Sequence, residues 1–152
     1  MPQVAIVMGS KSDMETMQPA MDILKEFGVE YEVSVISAHR TPEKARDYAR
    51  QASRRGIEVI IAAAGGAAHL PGVMASWTVL PVIGVPLATS ELKGADALYS
   101  IVQMPAGIPV ACVAVGSWGV KNAAYLAAEI LGLKYNSIRK SYEKYRSNLA
   151  RS

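Results

Sequence analysis

His39 and Arg40 stand side by side in the stretch SVISAHRTP (34–42), between an apolar run ending at Ile36 and the helix-start pair Thr41-Pro42. Imidazole is the side chain best suited to carrying protons near neutral pH. Guanidinium offers a planar fork that fits phosphate or carboxylate. The only other histidine, His69, lies in the segment AGGAAHLPG (64–72). A third segment, GSKSD (9–13), follows the first apolar run and opens a helix. Free N–H groups and the positive end of a helix dipole suit an anion there, with Ser10 and Ser12 as further donors after Gly9. Asp13 would repel phosphate but accepts well from ribose hydroxyls. The pattern assigns phosphate to the serines, sugar to Asp13 and proton transfer to His39, and leaves Arg40 for a phosphate or a carboxylate. In the third loop Gly65, Gly66 and Ala67 strip the backbone of bulk before His69, so a flat ring can approach the main chain. Blander roles stay open: GSKSD as a plain turn and cap, Asp13 as a first-turn acid, Arg40 in a surface ion pair, His39 as a solvated residue. His69 either orients a ligand or caps local backbone, and the glycines could serve helix–strand packing alone.

Several functions are excluded by what is missing. The GSKSD loop lacks both G-x-x-x-x-G-K and G-x-G-x-x-G, so it is neither a Walker loop nor a dinucleotide fingerprint. Two histidines and one cysteine make too few donors for a metal site, and no nucleophile-elbow motif appears. A net charge of +3 without a basic arm gives no reason to expect nucleic acid. The most membrane-like stretch, residues 59–77, is interrupted by His69, Pro71 and glycines, and no basic leader precedes the first strand, so no membrane span and no signal peptide are expected. Cys112, in the run VACVAV, reads as a buried core residue. One cysteine cannot form an internal disulfide, which suits a reducing cytosol. With apolar residues at 51% and charged ones at 19%, self-association is plausible.

These residues are positioned by alternating strand and helix signals. Strands are expected at 3–8, 30–36, 57–63, 81–85 and 109–115. A helix should run from Ser12, with Ser12 and Glu15 as a capping box, to Gly28. Pro19 lies awkwardly inside it. Thr41 as N-cap and Pro42 at the first helical position start the next helix, ended by Gly56. Shorter helices are expected near 71–77 and 96–102, and a long one over 120–131, ended by Gly132. Alternation of this kind means a parallel sheet covered on both faces: a three-layer α/β/α, doubly wound, five-stranded sheet in one domain over 1–152. The three chemical segments would then lie at the carboxyl ends of the first three strands, where such sheets bind ligands. From Lys134 onward, Tyr135, Ile138, Tyr142, Tyr145 and Leu149 recur at spacings of three and four. They mark a C-terminal helix (134–152) with a narrow apolar seam, packed either on its own domain or on a neighbouring subunit.

Together MGSKSD, SAHRTP, AGGAAHLPG and SIVQMPAGIPV, in this order and spacing, resemble the class I PurE family, the N5-carboxyaminoimidazole ribonucleotide mutases of purine biosynthesis, from Val4 to about Leu133. The resemblance implies a flavodoxin-like fold, a cytoplasmic homo-octamer with shared active sites, and neither metal nor organic cofactor. It implies a small ribonucleotide substrate, rearranged by decarboxylation and recarboxylation with His39 as general acid and base. Ser10, Asp13 and Arg40 would contact substrate, with Gly9, Ser12, Ser37, Ala38, Gly65, Gly66, Ala67, His69 and Leu70 lining the pocket. Relatives of the vertebrate type, which carboxylate aminoimidazole ribonucleotide directly, lack GGAAHLPG, so its presence favours the mutase. The chain departs from common family patterns at Ala63 or Ala64, Ala106 and Trp118.

Overall fold

The computed structural model describes residues 1–152. Five parallel strands, β1 (Val4–Met8), β2 (Tyr31–Val35), β3 (Val59–Gly65), β4 (Val82–Leu87) and β5 (Ala111–Cys112), pair in the order β2-β1-β3-β4-β5. This is the doubly wound flavodoxin-like order, whose direction of winding reverses between β1 and β3. Six helices cover the two faces: α1 (Met14–Glu26), α2 (Pro42–Ala52), α3 (Leu70–Trp77), α4 (Ala95–Val102), α5 (Ser117–Gly132) and α6 (Asn136–Arg151). None is long and apolar enough to cross a membrane.

The strand pattern explains the two cores. Alternate residues of a strand face opposite sides of the sheet. Val4, Ile6 and Met8 of β1 therefore join Val59, Ile61 and Ala63 of β3 under α1, α5 and α6. Ala5 and Val7 join Ile60, Ala62 and Ala64 under α2, α3 and α4. Each large side chain withdrawn completely from water, as Ile6 and Ile61 are, contributes roughly 1.5–3 kcal/mol. The register brings the site's loops together: Met8 is level with both Val35 and Ala63. β1 and β2 therefore end at the same height, and β3 runs only two residues further, to Gly65.

Several local expectations are corrected. The capping box does not form. Ser10 instead caps a 3-10 turn at Lys11–Asp13, its Oγ accepting from the Ser12 N–H at 3.3 Å, and α1 begins at Met14. Pro19 remains inside α1; the carbonyl it leaves without a donor belongs to Glu15, an exposed residue that water can serve. Thr41 occupies the N-cap position of α2, but its hydroxyl donates backward to the Ser37 carbonyl at 2.9 Å. β3 starts two residues later than expected and ends at Gly65, and β4 extends to Leu87. β5 shrinks to two residues. As a short edge strand it leaves Cys112 half-buried rather than in the core, and that partial burial still raises its thiol pKa.

The terminal helix packs on its own subunit. Tyr135, Tyr142 and Tyr145 rest against the core that buries Ile138, while Leu149 stays exposed. Phe27 lies 5.9–6.0 Å from the rings of Tyr125, Tyr142 and Tyr145, and Tyr125 stacks on Tyr145 at 4.6 Å. Such aromatic pairs add about 0.5–1.5 kcal/mol each beyond the area they bury.

Candidate active site

A cleft of about 300 Å³ opens at the carboxyl edge of the sheet, at the β1/β3 reversal. It is built from four strand ends. The β1 end gives Gly9, Ser10, Ser12 and Asp13. From β2 come Ser37, Ala38, His39 and Arg40. The β3 end supplies Ala64, Gly65, Ala67, His69 and Leu70, and β4 supplies Thr89. Eleven of the twelve residues that the sequence places beside His39 in the pocket line this cleft with it. Gly66 does not: it turns the chain with φ +60° beside the wall rather than forming it. Ala64 was expected only as part of the AGGAAHLPG segment, and Thr89 was not anticipated. Thr89 lies two residues beyond β4, whose loop carries no histidine, arginine or glycine cluster to flag it; its only signal is position past a strand's carboxyl end.

Ser37 holds the histidine loop in shape. Its Oγ accepts the Arg40 N–H at 3.1 Å, and its carbonyl accepts both the N–H of Thr41, at 3.0 Å, and the Thr41 hydroxyl. The tight turn leaves His39 and Arg40 exposed to the cleft. Arg40 has no carboxylate partner among the chain's ion pairs, so its fork is free for an anion. Ser10 and Ser12 share a hydroxyl–hydroxyl contact of 2.8 Å at the start of the turn into α1.

The two histidines, thirty residues apart in sequence, meet. His39 Nε2 lies 2.6 Å from His69 Nδ1, and the rings are edge-to-face at 86°. A hydrogen bond here needs a proton on one nitrogen and a lone pair on the other. The contact therefore fixes the ring of His39 and links its tautomer to that of His69. His69 makes no side-chain bond to a backbone group; its contact is with His39, and it lines the cleft. No three His, Cys, Asp or Glu side chains cluster as metal ligands.

Asp13 is the one buried charged residue, 9% exposed. Burial pushes its carboxyl above the ordinary aspartate range, opposed by the Ser10 backbone N–H. A raised folded-state pKa means that ionised Asp13 costs stability at neutral pH. That cost disappears as pH falls below the unfolded aspartate value of about 3.9. Asp13→Asn should therefore melt higher than the parent protein at pH 7, with the two melting temperatures converging near pH 4. Calorimetry across this range checks it; a lower melting point at pH 7 would show that the carboxylate supports the fold.

The model of the family described as AIR carboxylase matches residues 3–152. The chain is 58% identical to the N5-carboxyaminoimidazole ribonucleotide mutase of Saccharolobus solfataricus, covering 98% of this chain and 93% of that one. It is 60% identical to the enzyme of the same name from Aquifex aeolicus, over 93% and 84% of the two chains. Among solved structures, Treponema denticola PurE superimposes with a TM-score of 0.86 at 32% identity, covering 99% of this chain and 93% of its own.

Proposed function

This chain belongs to the AIR carboxylase family, and from that membership and the cleft we propose a reaction run by one histidine. The enzyme is an isomerase of purine biosynthesis that converts N5-carboxyaminoimidazole ribonucleotide to 4-carboxy-5-aminoimidazole ribonucleotide. Ser10, Ser12 and Arg40 take the phosphate, Asp13 the ribose hydroxyls, and the small residues of the third loop face the imidazole. The carbamate C–N bond breaks, leaving its electron pair on the exocyclic nitrogen, which takes a proton from His39. Carbon dioxide stays against the wall of Gly65 and Ala67. The electron-rich ring carbon then attacks it, and the ring proton returns to His39. One proton leaves and comes back, so the steps balance without a second base or a cofactor. Holding the gas beside the ring replaces a bimolecular encounter with a local one. The observation that carries this reading is the His39–His69 pair at the edge of a cleft whose other groups suit a phosphorylated sugar.

The test is turnover followed by ultraviolet absorbance with two substrates in parallel: fresh carbamate ribotide without bicarbonate, and uncarboxylated ribotide with bicarbonate. Fast conversion of the first and slow conversion of the second is expected. The reverse preference would make the protein a direct carboxylase, as the family description reads; inactivity toward both would leave a binding module.

A cytoplasmic homo-octamer with shared active sites is the assembly we favour. Trp118, Tyr99 and Leu92 are 75%, 70% and 65% exposed, apolar surface of the kind that subunit contacts cover. A lone thiol with no disulfide partner suits a reducing compartment. Light scattering should give eight times the mass of the chain; a monomer would remove this proposal.

A further inference from the structure

The β4 end of the cleft holds a hydroxyl that neither the motifs nor the proton transfers above account for. Leu87, the last residue of β4, is level with Gly65 of β3, and Thr89 follows two residues later. A Cβ on Gly65 would fall 1.8 Å from Thr89 Oγ1. The hydroxyl thus occupies the space that the glycine leaves, against the third-loop backbone. Its neighbour Ser90 is fully engaged, donating to Asp96 Oδ2 at 2.6 Å and accepting the Leu92 N–H at 3.1 Å. Thr89 Oγ1 has no such partner within the chain, and it faces the cleft.

The order of strands indicates what it would meet. Arg40 belongs to the β2 end and the serines to β1, whereas Thr89 belongs to β4, beyond β3. The phosphate-binding groups are therefore at one side of the cleft and Thr89 at the other, next to the loop that carries His69. Ala64, Ala67 and Leu70 add no side-chain donor on that side, where the other polar side chain, His69, is engaged with His39. A single O–H among carbon-bearing neighbours matches an oxygen of a carboxyl group or of carbon dioxide better than a phosphate, which collects several donors. We propose that Thr89 donates a hydrogen bond to the migrating carboxyl group, holding carbon dioxide over the ring between loss from nitrogen and attack by carbon. It forms no covalent bond and exchanges no proton. Its contribution is orientation, and retention of the gas.

This role rests on the mutase reading, and the experiment separates the two. Wild type, Thr89→Val and Thr89→Ser are compared for carbamate ribotide turnover, for affinity toward uncarboxylated ribotide, and for the share of carbamate lost as free carbon dioxide. Valine keeps the branched shape and removes the hydroxyl; serine keeps the hydroxyl. Loss of one donor to a charged carboxylate should lower kcat of Thr89→Val by about 30-fold. Escape of carbon dioxide should rise with it, while affinity for the uncarboxylated ribotide stays within about threefold, because that ligand lacks the group Thr89 holds. Thr89→Ser should stay near wild type. Unchanged kcat and escape in Thr89→Val would overturn the proposal, as would an equal loss of affinity for both ribotides. Wild type that fails to convert the carbamate would sink the mutase reading itself. Thr89 is an exposed residue, so both variants should fold; equal melting temperatures check this.

Discussion

His39→Asn is expected to lower kcat by at least about 10³-fold while leaving affinity for the uncarboxylated ribotide within a small factor. In the proposed sequence His39 protonates the exocyclic nitrogen and later removes the ring proton. Its loss therefore touches both halves of the reaction. Asn is polar but shorter, its amide ending level with imidazole Nδ1, so only the contact of His39 Nε2 with His69 Nδ1, 2.6 Å in the parent, is given up. The loop itself is held by Ser37 through backbone and side-chain bonds that do not involve the imidazole. Binding and fold should survive while proton transfer does not. Turnover and ribotide titration on the same preparation measure both. Turnover within about tenfold of the parent would move the acid–base role elsewhere, His69 being the next candidate.

Gly65→Ala should cost about 100-fold in kcat/KM, the scale on which a displacement near 1 Å in a positioned site is felt. The added methyl would lie 1.8 Å from Thr89 Oγ1, 3.1 Å from Thr89 Cβ and 3.2 Å from the Leu87 carbonyl oxygen. Rotating the threonine relieves only the first of these contacts. The β3 and β4 ends must then separate, and the cleft wall shifts. Gly65 is not among the residues with positive φ, so the effect is one of space, not backbone conformation. That distinction makes a double-mutant cycle decisive. Thr89→Ala removes the Oγ1 that collides at 1.8 Å but keeps its Cβ, and the Leu87 carbonyl stays in place, so the Gly65→Ala/Thr89→Ala enzyme should lose clearly less relative to Thr89→Ala than Gly65→Ala loses relative to the parent. Two contacting residues share one penalty instead of adding two. Simple additivity would mean that Gly65 is needed for some other reason.

Much of this protein follows from local chemistry. Apolar runs separated by caps, prolines and glycines dictate alternating strands and helices. A parallel sheet covered on both faces then follows, because strands apolar on both sides must be buried on both sides. The three segments with small hydroxylated, cationic or glycine-rich residues at strand ends announced most of the cleft, including His39, Arg40, Ser10 and Asp13. These features are short-range, readable within a few residues.

Other features depended on distances that no local pattern carries. The meeting of His39 with His69 follows from the register that sets Met8 level with Val35 and Ala63, which aligns loops from different strands. Thr89 enters the cleft only because β4 pairs beside β3, and its fit against Gly65 is a matter of tenths of an ångström. Gly66 takes a φ of +60° and is not part of the wall, and composition reveals neither. The first helix start went to Ser10 rather than the Ser12–Glu15 pair, since a 3-10 turn intervened between strand and helix. The rings that the terminal seam meets within its own chain, Phe27 and Tyr125, lie far from it in sequence, and only the packed fold brings them together. Residue types and spacing therefore determined the fold and the kind of chemistry. The tertiary structure decided which groups touch, because contact depends on strand order, register and turn geometry summed along the whole chain.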